Sequence, residues 1–300
     1  MDIREYSEGI RKGDKRLLAR AISMVENATP GYEELLRNLA FSPDIPVVGF
    51  TGPPGAGKST LINALISLLT ASGKSVGVVA VDPTSPFHSG ALLGDRIRMS
   101  DHFESDLVFI RSLASRRSLG GLSAKTLEVV DVMRAFPFDY IFVETVGVGQ
   151  SEVEIAGLAD TTVLVLVPEA GDDIQAIKSG IMEIADVFVV NKSDREGAGV
   201  FAKHLVELVH ERFHGAWAPP VIQSTAIKGV GCQEILEAIG SHRRMKRDDH
   251  TVALYAEKAW RIIQENRMKD VNAEELRQKV RDAVSKGPVN IYALVEAWGY

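Results

Sequence analysis

The sequence predicts an α/β protein with a doubly wound, mostly parallel sheet, and three observations carry that prediction. Short Val/Ile/Leu-rich runs recur with helix-periodic stretches between them, at 47–50 (VVGF), 76–81 (VGVVAV), 107–110, 140–143 (YIFV), 162–167 (TVLVLV), 187–190 (VFVV) and near 221. The runs are continuous rather than alternating, as in strands covered by helices on both faces. Glycine-rich or acidic segments follow several of them directly, and ligands of such sheets sit beyond the carboxyl ends of the strands.

Residues 1–44 precede the first strand as an N-terminal helical extension. Leu18, Ile22 and Val25 fall at helical spacing, as do Leu35, Leu36 and Leu39, and Thr29-Pro30-Gly31 separates the two sets. Two or three small helices packed on the main domain, 45–241, are expected. After Gly240 the composition turns basic, with Arg243, Arg244, Lys246 and Arg247 reading as a solvated helix end or linker. Two helical patterns follow, about 251–268 and 273–299, the second interrupted by Gly287-Pro288. Residues 242–300 thus form a C-terminal helical arm, either a small cap or a dimerisation element.

The 300 residues are 45% hydrophobic, enough for a large core, and the formal net charge of -6 offers no electrostatic footprint for nucleic acid. No segment reaches the roughly 18 uninterrupted apolar residues of a membrane span, and the chain is charged from Asp2 onward. A cytoplasmic, membrane-free protein is expected. The single cysteine, Cys232, excludes an internal disulfide and has no CxxC or His-rich neighbour that would make a metal site.

The chemistry begins in VVGFTGPPGAGKST. A buried strand runs into Gly52, Pro53, Pro54, Gly55, Ala56, Gly57, Lys58 and Ser59, with Thr60 opening an apolar-periodic helix, which is G-x-x-x-x-G-K-S in its required context. The glycines let backbone N–H groups turn inward around a phosphate, and the helix start adds its dipole. Lys58 reaches the terminal phosphates, and Ser59 coordinates Mg²⁺. Glu144 ends the run YIFV; a carboxylate there holds a water on Mg²⁺, and the Gly147 N–H senses a γ-phosphate, making this segment a switch. Val148 stands where a water-orienting Gln is expected, with Gln150 a possible substitute, so slow unaided turnover follows. Asp82 ends VGVVAVD, and Asp95 closes the Gly/Pro/Ser-rich loop after it; both are placed to act on Mg²⁺ or its waters.

Asn191-Lys192-Ser193-Asp194 directly follows VFVV. Asp194 can accept from the ring N–H and exocyclic amine of guanine, a donor pair that adenine lacks, while Lys192 lays its stem along the base. Burying a carboxylate against the wrong base discriminates by about 10⁴-fold, which points to GTP and GDP rather than ATP. The four letters alone also suit an Asn/Asp turn. Thr225 and Ala226, after the run PPVIQ, are placed to add backbone contacts to the base.

With GFTGPPGAGKST, VDPTSPFHSGALLGDRIRM, VETVGVGQSEVEIAGLAD, EAGDDIQAIKSGIMEIAD and NKSD together, nearly the whole chain resembles the MeaB/ArgK family of metallochaperone-type P-loop GTPases, whose mitochondrial counterpart is MMAA. The resemblance implies a SIMIBI-type P-loop fold and a homodimeric GTPase chaperone. Its partner would be an adenosylcobalamin-dependent acyl-CoA mutase, with the adenosyltransferase as a second candidate. It further implies gating of cofactor loading, protection of the mutase, and no bound cobalamin of the GTPase's own. By position, Lys58 and Ser59 are the phosphate and Mg²⁺ residues, and Asp82, Asp95 and Glu144 belong to the metal shell and switches. The segment 171–178 resembles a third switch, with Asp172, Gln175 and Lys178 coupling nucleotide state to the mutase. His88 departs from the expected small or hydroxylated residue, and the connection after His242 is shorter than usual. Two other readings stand beside this one. A kinase associated with basic amino-acid transport would need a phosphoacceptor pocket that no motif supplies. A nickel-inserting metallochaperone would need Cys and His clusters, whereas His204, His210 and His214 sit on an ordinary helical pattern.

Overall fold

The computed structural model describes residues 3–83, 99–102, 104–115, 124–145, 154–171, 181–213, 215–245, 248–268 and 271–298. Seven strands form one sheet: β1 (Val47–Thr51), β2 (Val76–Pro83), β3 (Val108–Ser115), β4 (Tyr140–Glu144), β5 (Thr161–Leu166), β6 (Val187–Val190) and β7 (Val221–Gln223). Their order is β3-β2-β4-β1-β5-β6-β7, and every pairing is parallel. The described helices are α1 (Ile3–Arg11), α2 (Lys15–Glu26), α3 (Tyr32–Asn38), α4 (Lys58–Ala71), α5 (Ala124–Arg134), α6 (Ala198–Arg212), α7 (Cys232–Met245), α8 (Asp248–Arg267), α9 (Ala273–Val284) and α10 (Ile291–Ala297).

Because successive side chains of a strand point to opposite faces, β1 sends Val48 and Phe50 to one core and Val47 to the other. The first core packs α4, α6 and α7 through Leu61, Leu65, Phe201, Leu205, Ile235 and Ile239. The second is filled by α5 and by all three helices of the N-terminal extension, through Ile10, Leu18, Ile22 and Leu35. The extension and α5 together therefore cover the sheet face to which β1, β2 and β4 contribute Val47, Val79 and Ile141. Burying Leu18 and Ile22 completely contributes about 1.5–3 kcal/mol each. Asp14 starts α2 by accepting from the Arg16 and Leu17 N–H groups at 2.8 and 3.0 Å. Arg111 of β3 then fastens the far end of that helix through Ser23 and Glu26.

At the amino ends of the strands one device is used three times. Asp139, Asp160 and Asp186 each stand one residue before a strand and accept a backbone N–H at the start of the neighbouring one: Ser75 at 2.8 Å, Val47 at 2.9 Å and Thr162 at 2.8 Å. Lys74 and Arg134 pair with the first two carboxylates, and His242 Nε2 lies 3.3 Å from the third.

The chain divides into two compact units, 1–254 and 255–300. In the second, Asn272 and Asn290 cap α9 and α10 through their side-chain oxygens. Gly287, with φ 139°, lies between those helices in a conformation that a side chain resists. Among the described side chains of 255–298 none is buried, and Trp260 and Tyr292 are 59% and 84% exposed. Among the described residues no helix is long and apolar enough to cross a membrane.

Candidate functional site

β1 lies at the centre of the sheet between β4 and β5, so the loop 52–57 leaves the sheet where the winding direction reverses, the usual ligand position of such folds. Two glycines are required by what they touch. A Cβ on Gly52 (φ 134°) would lie 2.1 Å from the Val165 carbonyl oxygen, and one on Gly57 (φ 87°) would lie 2.5 Å from the Asn191 amide nitrogen. The loop ends on α4, whose N-terminal N–H groups suit an anion. Lys58, the first residue of α4, is buried and donates to the Gly52 and Pro53 carbonyls at 2.7 and 3.2 Å. Its ammonium is thus held over the loop by neutral acceptors, which phosphate oxygens can replace with stronger charge-assisted bonds.

Ser59 Oγ donates to Glu144 Oε1 at 2.7 Å, and both residues are buried. The exit of β4 is pinned to that of β1, since Thr145 N–H donates to the Phe50 carbonyl at 3.1 Å and its hydroxyl to Thr51 Oγ1 at 3.3 Å. Asp82 is the penultimate residue of β2, opposite Ala114 of β3; on the other side of β2, Ala80 pairs with Glu144. The backbone of Asp82 therefore reaches two residues past the level of Glu144 on the same edge. A serine hydroxyl against a carboxylate is an all-oxygen donor pair, which fits Mg²⁺, an ion that takes one or two protein oxygens and completes its shell with phosphate and water. Asp95, Gly147, Asp172, Gln175 and Lys178 lie outside the described residues, as do His88, Val148 and Gln150.

The base-recognition residues are laced to the phosphate loop. Asn191 is buried; its amide N–H donates to the Ala56 carbonyl at 2.9 Å and its side-chain oxygen accepts the Ala226 N–H at 3.2 Å. Lys192 (φ 55°) donates to the Gly55 carbonyl at 2.7 Å. Ser193 bonds both Ser224 O, at 2.9 Å, and Thr225 Oγ1, at 3.0 Å. Loops 52–57, 191–195 and 224–228 therefore form one hydrogen-bonded rim. Asp194 is left at its outer side, exposed, with Lys228 Nζ 3.4 Å from Oδ2. Of the residues expected to touch the base, Asn191 is occupied at both ends by the protein's own backbone and so sets the distance between loops. Sequence reasoning gave no individual role to Thr51 or Thr145, although both lie inside its motifs, and passed over Lys228; their contacts become visible only once the loops meet.

The family described as Methylmalonyl Co-A mutase-associated GTPase MeaB matches residues 18–286. A protein of Pyrococcus horikoshii, named as a GTPase, is 45% identical over 289 residues, covering 95% of this chain and 90% of that one. The mouse protein named Methylmalonic aciduria type A homolog, mitochondrial, is 35% identical over 288 residues, covering 86% of this chain and 68% of its own. A crystal structure titled LAO/AO transport system kinase superposes with a TM-score of 0.71 at 26% identity, over 99% of this chain and 98% of the other.

Proposed function

Because this chain belongs to the MeaB family of methylmalonyl-CoA mutase-associated GTPases, we propose that it is a GTP-hydrolysing chaperone that gates cofactor loading into an adenosylcobalamin-dependent acyl-CoA mutase and protects that enzyme. The observation that carries this reading furthest is the single rim joining 52–57 to 191–195 and 224–228, together with the buried Ser59–Glu144 pair. A rim of that kind makes phosphate binding and base identity one structural event.

In this reading the α4 N-terminus and Lys58 hold the β- and γ-phosphates, and Asp194 accepts from the guanine edge. Ser59, Glu144 and Asp82 would hold Mg²⁺, which would supply neutralisation of the charge on the phosphate oxygens. Lys58 stabilises the charge that shifts toward the leaving GDP as water attacks the γ-phosphorus and inorganic phosphate departs. Thr145, anchored to β1, fixes the root of the segment that carries Gly147, so a change there is transmitted from a rigid base. Slow intrinsic turnover, accelerated by the mutase, is part of the proposal, as is the coupling role of Asp172, Gln175 and Lys178. We assign residues 45–241 to the GTPase domain and 242–300 to a homodimerisation arm. The exposed Trp260, Ile263 and Tyr292 support that assignment, since helices with no buried side chain among the described residues gain little stability alone.

The test is a GTP turnover assay with and without a cognate mutase, alongside transfer of adenosylcobalamin into apo-mutase in the presence of GTP or GDP. Acceleration by the mutase together with nucleotide-dependent transfer is expected. Turnover indifferent to every acyl-CoA mutase offered, and transfer indifferent to nucleotide, would overturn the chaperone role while leaving the GTPase intact.

A further inference from the structure

Glu169 and Arg195 stand on different loops of the carboxyl edge and meet across it. Glu169 lies on the 3-10 turn Pro168–Gly171 that follows β5, and Arg195 ends the turn that follows β6. The two strands are neighbours, with Leu166 opposite Val190. The Arg195 guanidinium donates to Glu169 Oε1, while the Arg195 backbone N–H closes back onto the Lys192 carbonyl at 3.0 Å. That hydrogen bond from Arg195 is the main cause holding the Glu169 carboxyl below its usual range; the residue's own N–H and the charges of Arg195 and Lys192 add to it.

Between the two ends of this connection lies a turn that resists its own conformation. Lys192 is a non-glycine residue at φ 55°, a left-handed geometry that L residues avoid. One end of the turn is fixed by Asn191, and Arg195 fixes the other. Asp194 sits directly before Arg195, and its only ion pair among the described residues is the longer contact to Lys228.

We infer that Arg195, through its bridge to Glu169, is a positioning residue for guanine recognition: the bridge straps the 191–195 turn to the end of β5 and so holds the Asp194 carboxylate toward the base edge. This rests on the reading of Asp194 as the guanine-binding carboxylate. Neither Glu169 nor Arg195 belongs to a phosphate or base motif, and neither touches nucleotide in this role. Their action is preorganisation, lowering the ordering cost that a base would otherwise meet on binding.

The experiment uses the full chain and fluorescent GDP and IDP, the second lacking the exocyclic amine that Asp194 reads. The variants are Arg195→Gln, Arg195→Glu, Glu169→Arg and the charge-swapped double variant, with thermal melting measured beside binding. Each single variant is expected to weaken GDP binding by about two- to five-fold, the range of an exposed ion pair, and to lower the GDP-to-IDP preference. The swap is expected to recover both, and the wild-type advantage should shrink at high salt because the pair is half exposed. Folded single variants with wild-type GDP affinity and preference would overturn the inference. A swap that melts normally yet recovers neither quantity would also overturn it. Failure of the wild-type protein to prefer GDP over ADP is a separate result, which would remove the guanine reading itself.

Discussion

The two edges of this sheet carry the same kinds of side chain and treat them differently. At the amino edge Asp139, Asp160 and Asp186 each accept a backbone N–H from the neighbouring strand and each meet a basic side chain, Lys74, Arg134 or His242, so these carboxylates are partnered within the protein. At the carboxyl edge Lys58 and Lys192 rest on main-chain carbonyls of the phosphate loop, and Ser59 rests on Glu144. The Lys192 and Ser59 contacts join separate segments of this edge, and the lysine contacts are neutral-acceptor bonds that an anion can outbid. A carboxylate committed to an N–H and a cation serves the fold. A cation leaning on carbonyls is poised for phosphate. The amino edge should therefore respond to substitution in stability and the carboxyl edge in chemistry.

The largest expected effect on turnover is at Lys58. Lys58→Ala should reduce GTP turnover by about 10²- to 10³-fold, the cost of removing one charge-stabilising donor, with a melting temperature close to wild type. Retained turnover in a phosphate-release assay would break the distinction at its centre. Next comes Asp194→Asn, which should weaken GTP binding and admit xanthosine nucleotides, whose 2-oxo group complements the new amide. Up to about 10⁴-fold discrimination is at stake in such hydrogen bonds. Calorimetry finding equal ATP and GTP affinity in the wild type would show that this edge does not read the base through Asp194.

Much of the carboxyl edge was legible before any coordinates, because its motifs are local. The spacing from Gly52 to Ser59 and the run Asn191 to Asp194 each declare themselves within eight residues of a strand end. The inward use of Asn191 was not legible: its partner Ala56 is 135 residues away, and nothing in either loop announces the meeting. The N-terminal helices were readable from periodicity, but an amphipathic stripe says only that a face is buried, not that it joins α5 in covering one face of the sheet. The amino-edge aspartates escaped notice for a related reason. In FDYIFV, ADTTVL and ADVFVV an Asp before a strand looks like a turn residue until the register of the neighbouring strand is known.

A middle-sized effect is expected at the amino edge. One oxygen of Asp160 accepts both the Val47 N–H and the Arg134 guanidinium, each at 2.9 Å, with both side chains largely buried. Asp160→Ala strands a buried cation and a strand-opening N–H, so unfolding stability should fall by about 2–4 kcal/mol. GDP affinity of the folded fraction should stay at the wild-type value. A loss of affinity without a loss of stability, measured by urea titration beside GDP binding, would invert the comparison between the edges.

The smallest effect is also the most diagnostic of how the amino edge works. Burial alone would raise the Asp139 carboxyl, but the Lys74 ammonium and the Ser75 N–H and hydroxyl outweigh it and hold the group below its ordinary 3.8. Lys74, at the surface, is raised above 10.5 by the same carboxylate. A depressed carboxyl contributes stability that is present above the unfolded value and lost as pH falls through the folded one. A raised lysine contributes below its unfolded value and loses its contribution as pH rises through the folded one. Asp139→Asn should therefore destabilise the protein by about 1 kcal/mol or less at neutral pH, as expected for a partly exposed pair with one backbone bond. The gap between variant and wild type should stay flat across the neutral range, narrow as pH drops below 3.8, and narrow again above 10.5. Urea midpoints measured across that range test it. A gap that persists unchanged in acid would mean that the amide loses packing or geometry rather than charge, and Asp139 would then stiffen the start of β4 without the electrostatic part assigned to it.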